Sequence, residues 1–174
     1  GAAPPVTPAL TAAILVVSDR CSRGEAEDTT GPRLAAFLES RGWRVAALRV
    51  VPDVAGGIQA AIREWADGGV AGLILTAGGT GLGPRDVTPE ATAAVLDRQA
   101  DGLVFLMRAE GLKHTPRAVL SRGLAGTRKS SLVVNLPGSP AGAEESAAAI
   151  IDLVPHALAM MQGEGHAAAG GKGA

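Results

Sequence analysis

Three short, almost unbroken apolar runs, residues 11–18 (TAAILVVS), 70–77 (VAGLILTA) and 131–136 (SLVVNL), constrain the fold of this chain most. A strand with one face in water alternates apolar and polar side chains, so continuous runs of this length predict strands covered on both faces. Between them lie segments with helical spacing. Residues 31–41 place Leu34, Phe37 and Leu38 at i, i+3, i+4, and Gly42 follows as a stop. A further strand is predicted over 43–51, and after Pro52 and Asp53 a helix carries Ile58, Ala61, Ile62 and Trp65 on one stripe. The run at 70–77 breaks into a glycine-rich loop followed by the helix-forming PEATAAVLD. Residues 101–125 read as mixed helix and turn, with Pro116 as a helix start or a break. Residues 143–161 read as one helix, kinked at Pro155, with Ala147, Ile150, Ile151, Val154, Leu158 and Met161 along one face.

Strands alternating with helices predict an α/β/α sandwich of three layers around a mainly parallel sheet, because each parallel crossover needs a covering helix. With 47% hydrophobic but only 2% aromatic residues and no Tyr, the core must be built from Ala, Val, Leu and Ile. A length of 174 residues suits one domain, expected over 11–163. The Gly/Ala/Pro-rich stretches 1–10 and 164–174 are expected to be mobile tails.

Sixteen basic against 17 acidic residues leave a net charge of −1 and no global field for a polyanion, so nucleic acid is not an expected partner. The single Cys21 rules out an intrachain disulfide, and His114, His156 and His166 have no metal-site spacing. No apolar run of membrane-spanning length and no leader pattern is present, which predicts a soluble, cytoplasmic protein with no membrane contact.

In parallel sheets ligands bind beyond the carboxyl ends of the strands, and the chemistry-bearing residues fall there. Gly78, Gly79, Gly81 and Gly83 share one loop between a strand and a helix, where missing side chains let main-chain N–H groups close around phosphate oxygens. Thr88 as N-cap and Pro89 at the first helical position would add a helix terminus to that anion site. A bare βα turn fits the same glycines. The loop lacks the Gly-Lys-Ser/Thr of a P-loop and the GxGxxG of a dinucleotide fold, but sets Arg85 directly before Asp86. A guanidinium for phosphate beside a carboxylate for Mg²⁺ is what phosphoryl-type transfer needs, although Asp86 also suits an Asx turn. Asp53 suits the N-cap of the following helix, and a capping carboxylate at that strand end still faces the site. Ser18, Asp19 and Arg20 open a polar loop running through Arg23, Glu25 and Asp28, either a ligand-facing lid or ordinary surface. Cys21, with no His or second Cys nearby in sequence, reads as a spectator. The pairs Ser121-Arg122 and Arg128-Lys129 bring positive charge before the last strand, fitting phosphate binding or solvent equally. The segment NLPGSP ends a strand and opens a helix with Ser139 as its cap.

Taken in order, SDR, VPD, GGTGLGPRDVTPEAT, LSRGLAG and NLPGSP resemble the MogA/MoaB proteins and the G domain of gephyrin, from about residue 11 to residue 163. The resemblance implies molybdopterin adenylyltransferase activity: AMP moves from Mg-ATP to the terminal phosphate of molybdopterin, with release of pyrophosphate, in molybdenum cofactor biosynthesis. It implies Mg²⁺ as cofactor, ATP and molybdopterin as substrates, and a homotrimer with molybdopterin synthase or a MoeA-type metal insertase as possible contacts. Carried over by motif, Asp53 and Asp86 match the family's essential aspartates, with Arg85 beside them and Asp86 on Mg²⁺. Thr76, Gly78, Gly79, Thr80, Gly81 and Thr88 match its nucleotide phosphate region. Ser18, Asp19, Ser121, Arg122, Asn135, Pro137, Gly138 and Ser139 match segments lining its molybdopterin pocket. The rival reading is a MoaB-type molybdopterin carrier with little adenylylation activity; another enzyme on the same fold is a third, and a pure scaffold explains the Arg-Asp-glycine cluster least.

Overall fold

A computed structural model describes residues 10–163. The stretch 164–174, the first nine residues and His166 lie outside the described residues. Thirteen regular elements, apart from two short 3-10 turns, follow in the order β1 (Thr11–Val17), α1 (Asp19–Ser22), α2 (Thr30–Ser40), β2 (Arg44–Val51), α3 (Ala55–Asp67), β3 (Leu73–Ala77), α4 (Thr88–Ala93), β4 (Arg98–Gln99), α5 (Asp101–Leu112), β5 (Ala125–Arg128), β6 (Ser131–Leu136), α6 (Pro140–Ile150) and α7 (Val154–Met161). They build one sheet of order β2-β1-β3-β6-β5-β4. The first four strands in that order run parallel; β5 pairs antiparallel with β6, and β4 antiparallel with β5.

Strand periodicity divides the core in two. Ala12, Ile14 and Val16 of β1, with Leu73, Leu75, Leu132 and Val134, pack under α2, α5, α6 and α7 in a layer that includes Trp43. Ala13, Leu15 and Val17, with Ile74 and Val133, pack under α3 and α4 in a layer that includes Trp65. The predicted helix stripes hold: Leu34, Phe37 and Leu38, and Ile58, Ala61, Ile62 and Trp65, are all buried.

Two expectations are corrected, and the reading of 101–125 is borne out. The single kinked helix over 143–161 is two helices, α6 and α7, separated by a 3-10 turn at Ile151–Leu153. Pro155 sits in the first turn of α7, where its missing N–H costs nothing, so it starts a helix instead of bending one. In the ambiguous region 101–125, α5 is regular and Pro116 opens the 3-10 turn Pro116–Leu120, capped by the Thr115 hydroxyl. The hairpin partner β5 and the two-residue β4 were not predicted at all.

The sheet order creates a switch point. From β1 the chain moves outward to β2 over α2, then crosses back past β1 to β3 over α3 on the other face. Right-handed crossovers in opposite directions must use opposite faces, which opens a crevice between the carboxyl ends of β1 and β3.

Candidate active site

The crevice is a cavity of about 470 Å³ lined by Val17, Ser18, Asp19, Asp53, Ala77, Gly78, Gly79, Asp86 and Gly138, among others. Two of its loops are locked by an exchange between the ends of β1 and β2. The Asp53 carboxylate accepts from Asp19 N at 3.0 Å, and the Asp19 carboxylate accepts from Asp53 N at 2.9 Å. Asp53 therefore does not cap α3, whose N-cap is Val54. Asp19 also takes a two-pronged pair from Arg85, with Nε and Nη2 each donating at 3.0 Å. Arg85 thus reaches the cavity through Asp19, holding the Asp19 carboxyl below the usual carboxylate range.

Asp53 is shifted the other way. Burial raises its pKa, and the Asp19 and Asp86 charges raise it further, against the Asp19 N–H and Arg85. Asp86 folds back on its own loop, accepting from Gly83 N at 2.9 Å. The carboxylates of Asp19, Glu27, Asp28, Asp53 and Asp86 line this cavity against one cation, Arg20. A triphosphate has no place here without a divalent cation. Mg²⁺ takes one or two carboxylates and fills its octahedron with phosphate oxygens and water. Asp53 and Asp86 fit that demand, although among the described residues no three potential ligands cluster as a protein-only metal site.

The glycines are required by close approach. Gly78 has φ +111°, and a Cβ there would meet Val17 O; at Gly79, φ +70°, it would meet the Thr88 hydroxyl. Gly78 N is committed to Leu136 O at 3.1 Å, which ties β3 to β6 and removes this amide from any phosphate cradle. Thr88 is the first helical residue, not the N-cap, and it is buried with its hydroxyl donating to Gly78 O at 2.9 Å. With six residues, α4 adds little as an anion-binding terminus. Thr76 and Asn135 are also internal. The Asn135 amide donates to Thr76 Oγ1 at 2.9 Å and Thr92 Oγ1 at 3.0 Å, while its oxygen accepts from Leu124 N at 2.9 Å.

The remaining residues expected around the pterin do not all share the acidic cavity. Ser121, Asn135, Pro137 and Ser139 line a second cavity of about 370 Å³, more apolar, between α5, the 3-10 turn and α6. The loop after β6 is the common wall: Pro137 and Ser139 face one side, Gly138 and Pro140 the other. Thr30 Oγ1 donates to Gly138 O at 2.8 Å and steadies that wall. Arg122 lines neither cavity. Arg128 and Lys129 stand at the amino end of β6, far from both, where Arg128 forks onto Asp67 at 2.9 Å. The polar loop from residue 19 is ordered as a short helix capped by Ser18, with Asp28 accepting from Thr30 N and Gly31 N. Cys21 borders the acidic cavity. Sequence reasoning missed Arg108 and Arg117, which bring positive charge to the second cavity. Their only signal was a run of cations in a stretch without clear period.

Residues 13–156 match a family model described as a probable molybdopterin binding domain. The chain belongs to the MogA/MoaB family. It is 40% identical over 149 residues to the molybdopterin adenylyltransferase of Haemophilus influenzae, covering 84% of this chain and 76% of that one. The crystal structure of the molybdopterin biosynthesis enzyme MoaB from Thermus thermophilus superposes with a TM-score of 0.83 at 50% identity, covering 88% and 97% of the two chains. The molybdenum cofactor synthesis protein cinnamon of Drosophila melanogaster is 39% identical over 150 residues, which cover 86% of this chain but 25% of that protein. This MogA/MoaB chain spans about a quarter to a half of the first curated relatives it matches.

Proposed function

We propose that this MogA/MoaB protein is a molybdopterin adenylyltransferase. The observation that carries the reading is the pair of cavities sharing the 137–140 loop: one acidic and glycine-walled, the other more apolar and bordered by arginines. Two ligands seated there meet across a single loop, as transfer between a nucleotide and a pterin phosphate requires.

In this reading the nucleotide phosphates lie in the acidic cavity against the main chain of Gly79, Thr80 and Gly81. Asp53 and Asp86 would hold Mg²⁺ there, and the ion would supply neutralisation of phosphate charge and Lewis-acid polarisation. Thr76, Thr88 and Asn135 support the loops from behind. Ser121, Pro137 and Ser139 bound the pterin, with Ser18, Asp19 and Gly138 on the phosphate side, and Arg85 is positioned by Asp19. An oxygen of the molybdopterin phosphate forms a bond to the α-phosphorus of ATP as the bond to the pyrophosphate oxygen breaks, its electron pair leaving with pyrophosphate. The attacking oxygen is already anionic, so no side chain has to remove a proton. We further place the protein in the cytoplasm as a homotrimer; among the described residues no helix is long and apolar enough to cross a membrane.

The test is to incubate the purified chain with molybdopterin, ATP and Mg²⁺ and follow adenylylated product and pyrophosphate. Product is expected only with Mg²⁺, and Asp86→Ala is expected to lower turnover by at least about a hundredfold. Tight molybdopterin binding without product would move the chain to the carriers.

A further inference from the structure

The segment 121–124 borders the apolar cavity, which Ser121 and Gly123 line. Arg122 turns away from that cavity and grips the opposite loop. Its main-chain N–H donates to Thr80 O at 2.8 Å, Nε to Gly81 O at 2.8 Å and Nη2 to Asp86 O at 3.0 Å. Nη1 meets both carboxylate oxygens of Glu90, at 2.8 and 2.9 Å. Every nitrogen of the guanidinium therefore has an acceptor; two of its contacts, with a third from the Arg122 main chain, fall on carbonyls of the loop that carries Asp86. The fork is thereby held in the plane of these partners, facing the Thr80–Asp86 loop and Glu90.

We infer that Arg122 is a positioning residue: it fixes the Thr80–Asp86 main chain from the wall of the apolar cavity and binds no phosphate itself. The segment it stands on is anchored in turn, because Arg108 donates to Ser121 O at 2.9 Å and Leu124 N to Asn135 Oδ1 at 2.9 Å. A planar fork can hold several carbonyls at fixed spacing, whereas a lysine at the same place is a point charge on a flexible stem. The kinetic part of the inference rests on the transferase reading; the ordering of the loop does not.

The experiment compares Arg122→Lys, Glu90→Gln and the double variant of the full chain with the unaltered protein, by hydrogen–deuterium exchange and by turnover at varied ATP. With Arg122→Lys, exchange across 79–86 is expected to rise about tenfold while 131–136 stays unchanged. Turnover is expected to fall at least about tenfold with the KM for ATP within about threefold, since displacement by about 1 Å costs on the order of a hundredfold in rate. Glu90→Gln, at an exposed side chain that the fold does not need, is expected to loosen the same loop less, and the double variant to be no worse than Arg122→Lys. Lysine restoring wild-type exchange and turnover would overturn the inference. So would a KM raised over the unaltered protein at unchanged kcat, by a factor that shrinks as salt rises, the mark of a direct phosphate contact. Should Arg122→Lys fail to fold, unchanged loop exchange in Glu90→Gln overturns it alone. If the unaltered protein transfers no adenylyl group, the exchange comparison still decides.

Discussion

Asp53 is the residue at which the proposed function and stability pull apart. Its carboxyl binds its proton more tightly in the folded protein than the ordinary 3.8, through burial and the neighbouring charges of Asp19 and Asp86. A raised carboxyl pKa contributes stability below the unfolded value and loses it as pH rises through the folded value, so at neutral pH the ionised group weakens the fold. Asp53→Asn keeps an oxygen for the Asp19 N–H and removes that charge. It is expected to raise the urea midpoint at pH 7, to leave the midpoint unchanged well below 3.8, and to abolish turnover. Equal midpoints at pH 7 would mean that the Asp19 N–H and Arg85 contacts offset burial and the neighbouring charges. The motifs already marked Asp53 and Asp86 in sequence. What no motif marked is that Asp19 spans 34 residues to Asp53 and 66 to Arg85, because contacts at such separations leave no local pattern.

At the scale of elements, the start of α6 illustrates how capping shapes a site. Ser139 Oγ accepts from Gly142 N at 3.1 Å and Pro140 occupies the first turn, so the chain leaves β6 at a fixed angle and the 137–140 wall stands between the cavities. Ser139→Ala is expected to lower stability by about 1 kcal/mol in denaturant titration; a shift near zero would mean the wall is held by Thr30 instead. This cap was legible, as were β1, β3 and β6, since buried parallel strands are continuous apolar runs. The β4–β5 pair was not, for physical reasons. It has two residues and four, carries Arg98 and Arg128, and its middle residue, Gly126, leaves no room for a side chain against Arg98 O. Pairing there is fixed by main-chain contact, which sequence periodicity does not record. The break between α6 and α7 was misplaced because the buried stripe continues through it while the backbone does not.

For the whole molecule, the surface of α5 bears on the proposed trimer. Phe105 is 74% and Leu112 49% exposed, seven residues apart and so on one face, with Val119 and Leu120 exposed just beyond. A trimer is expected by sedimentation equilibrium, and Phe105→Glu is expected to shift it toward monomer; an unaltered trimer would move the interface off this face. The aliphatic core has a spectroscopic corollary. Each layer contains one tryptophan, Trp43 on one side of the sheet and Trp65 on the other, both buried, and Tyr is absent from the chain. Ultraviolet emission therefore comes from one indole per layer, and replacing either by Phe leaves a lone fluorophore reporting on a single side of the sheet. Neither indole lines either of the two ligand cavities, so the glow of a pterin bound there would be observed without a tryptophan in contact with it.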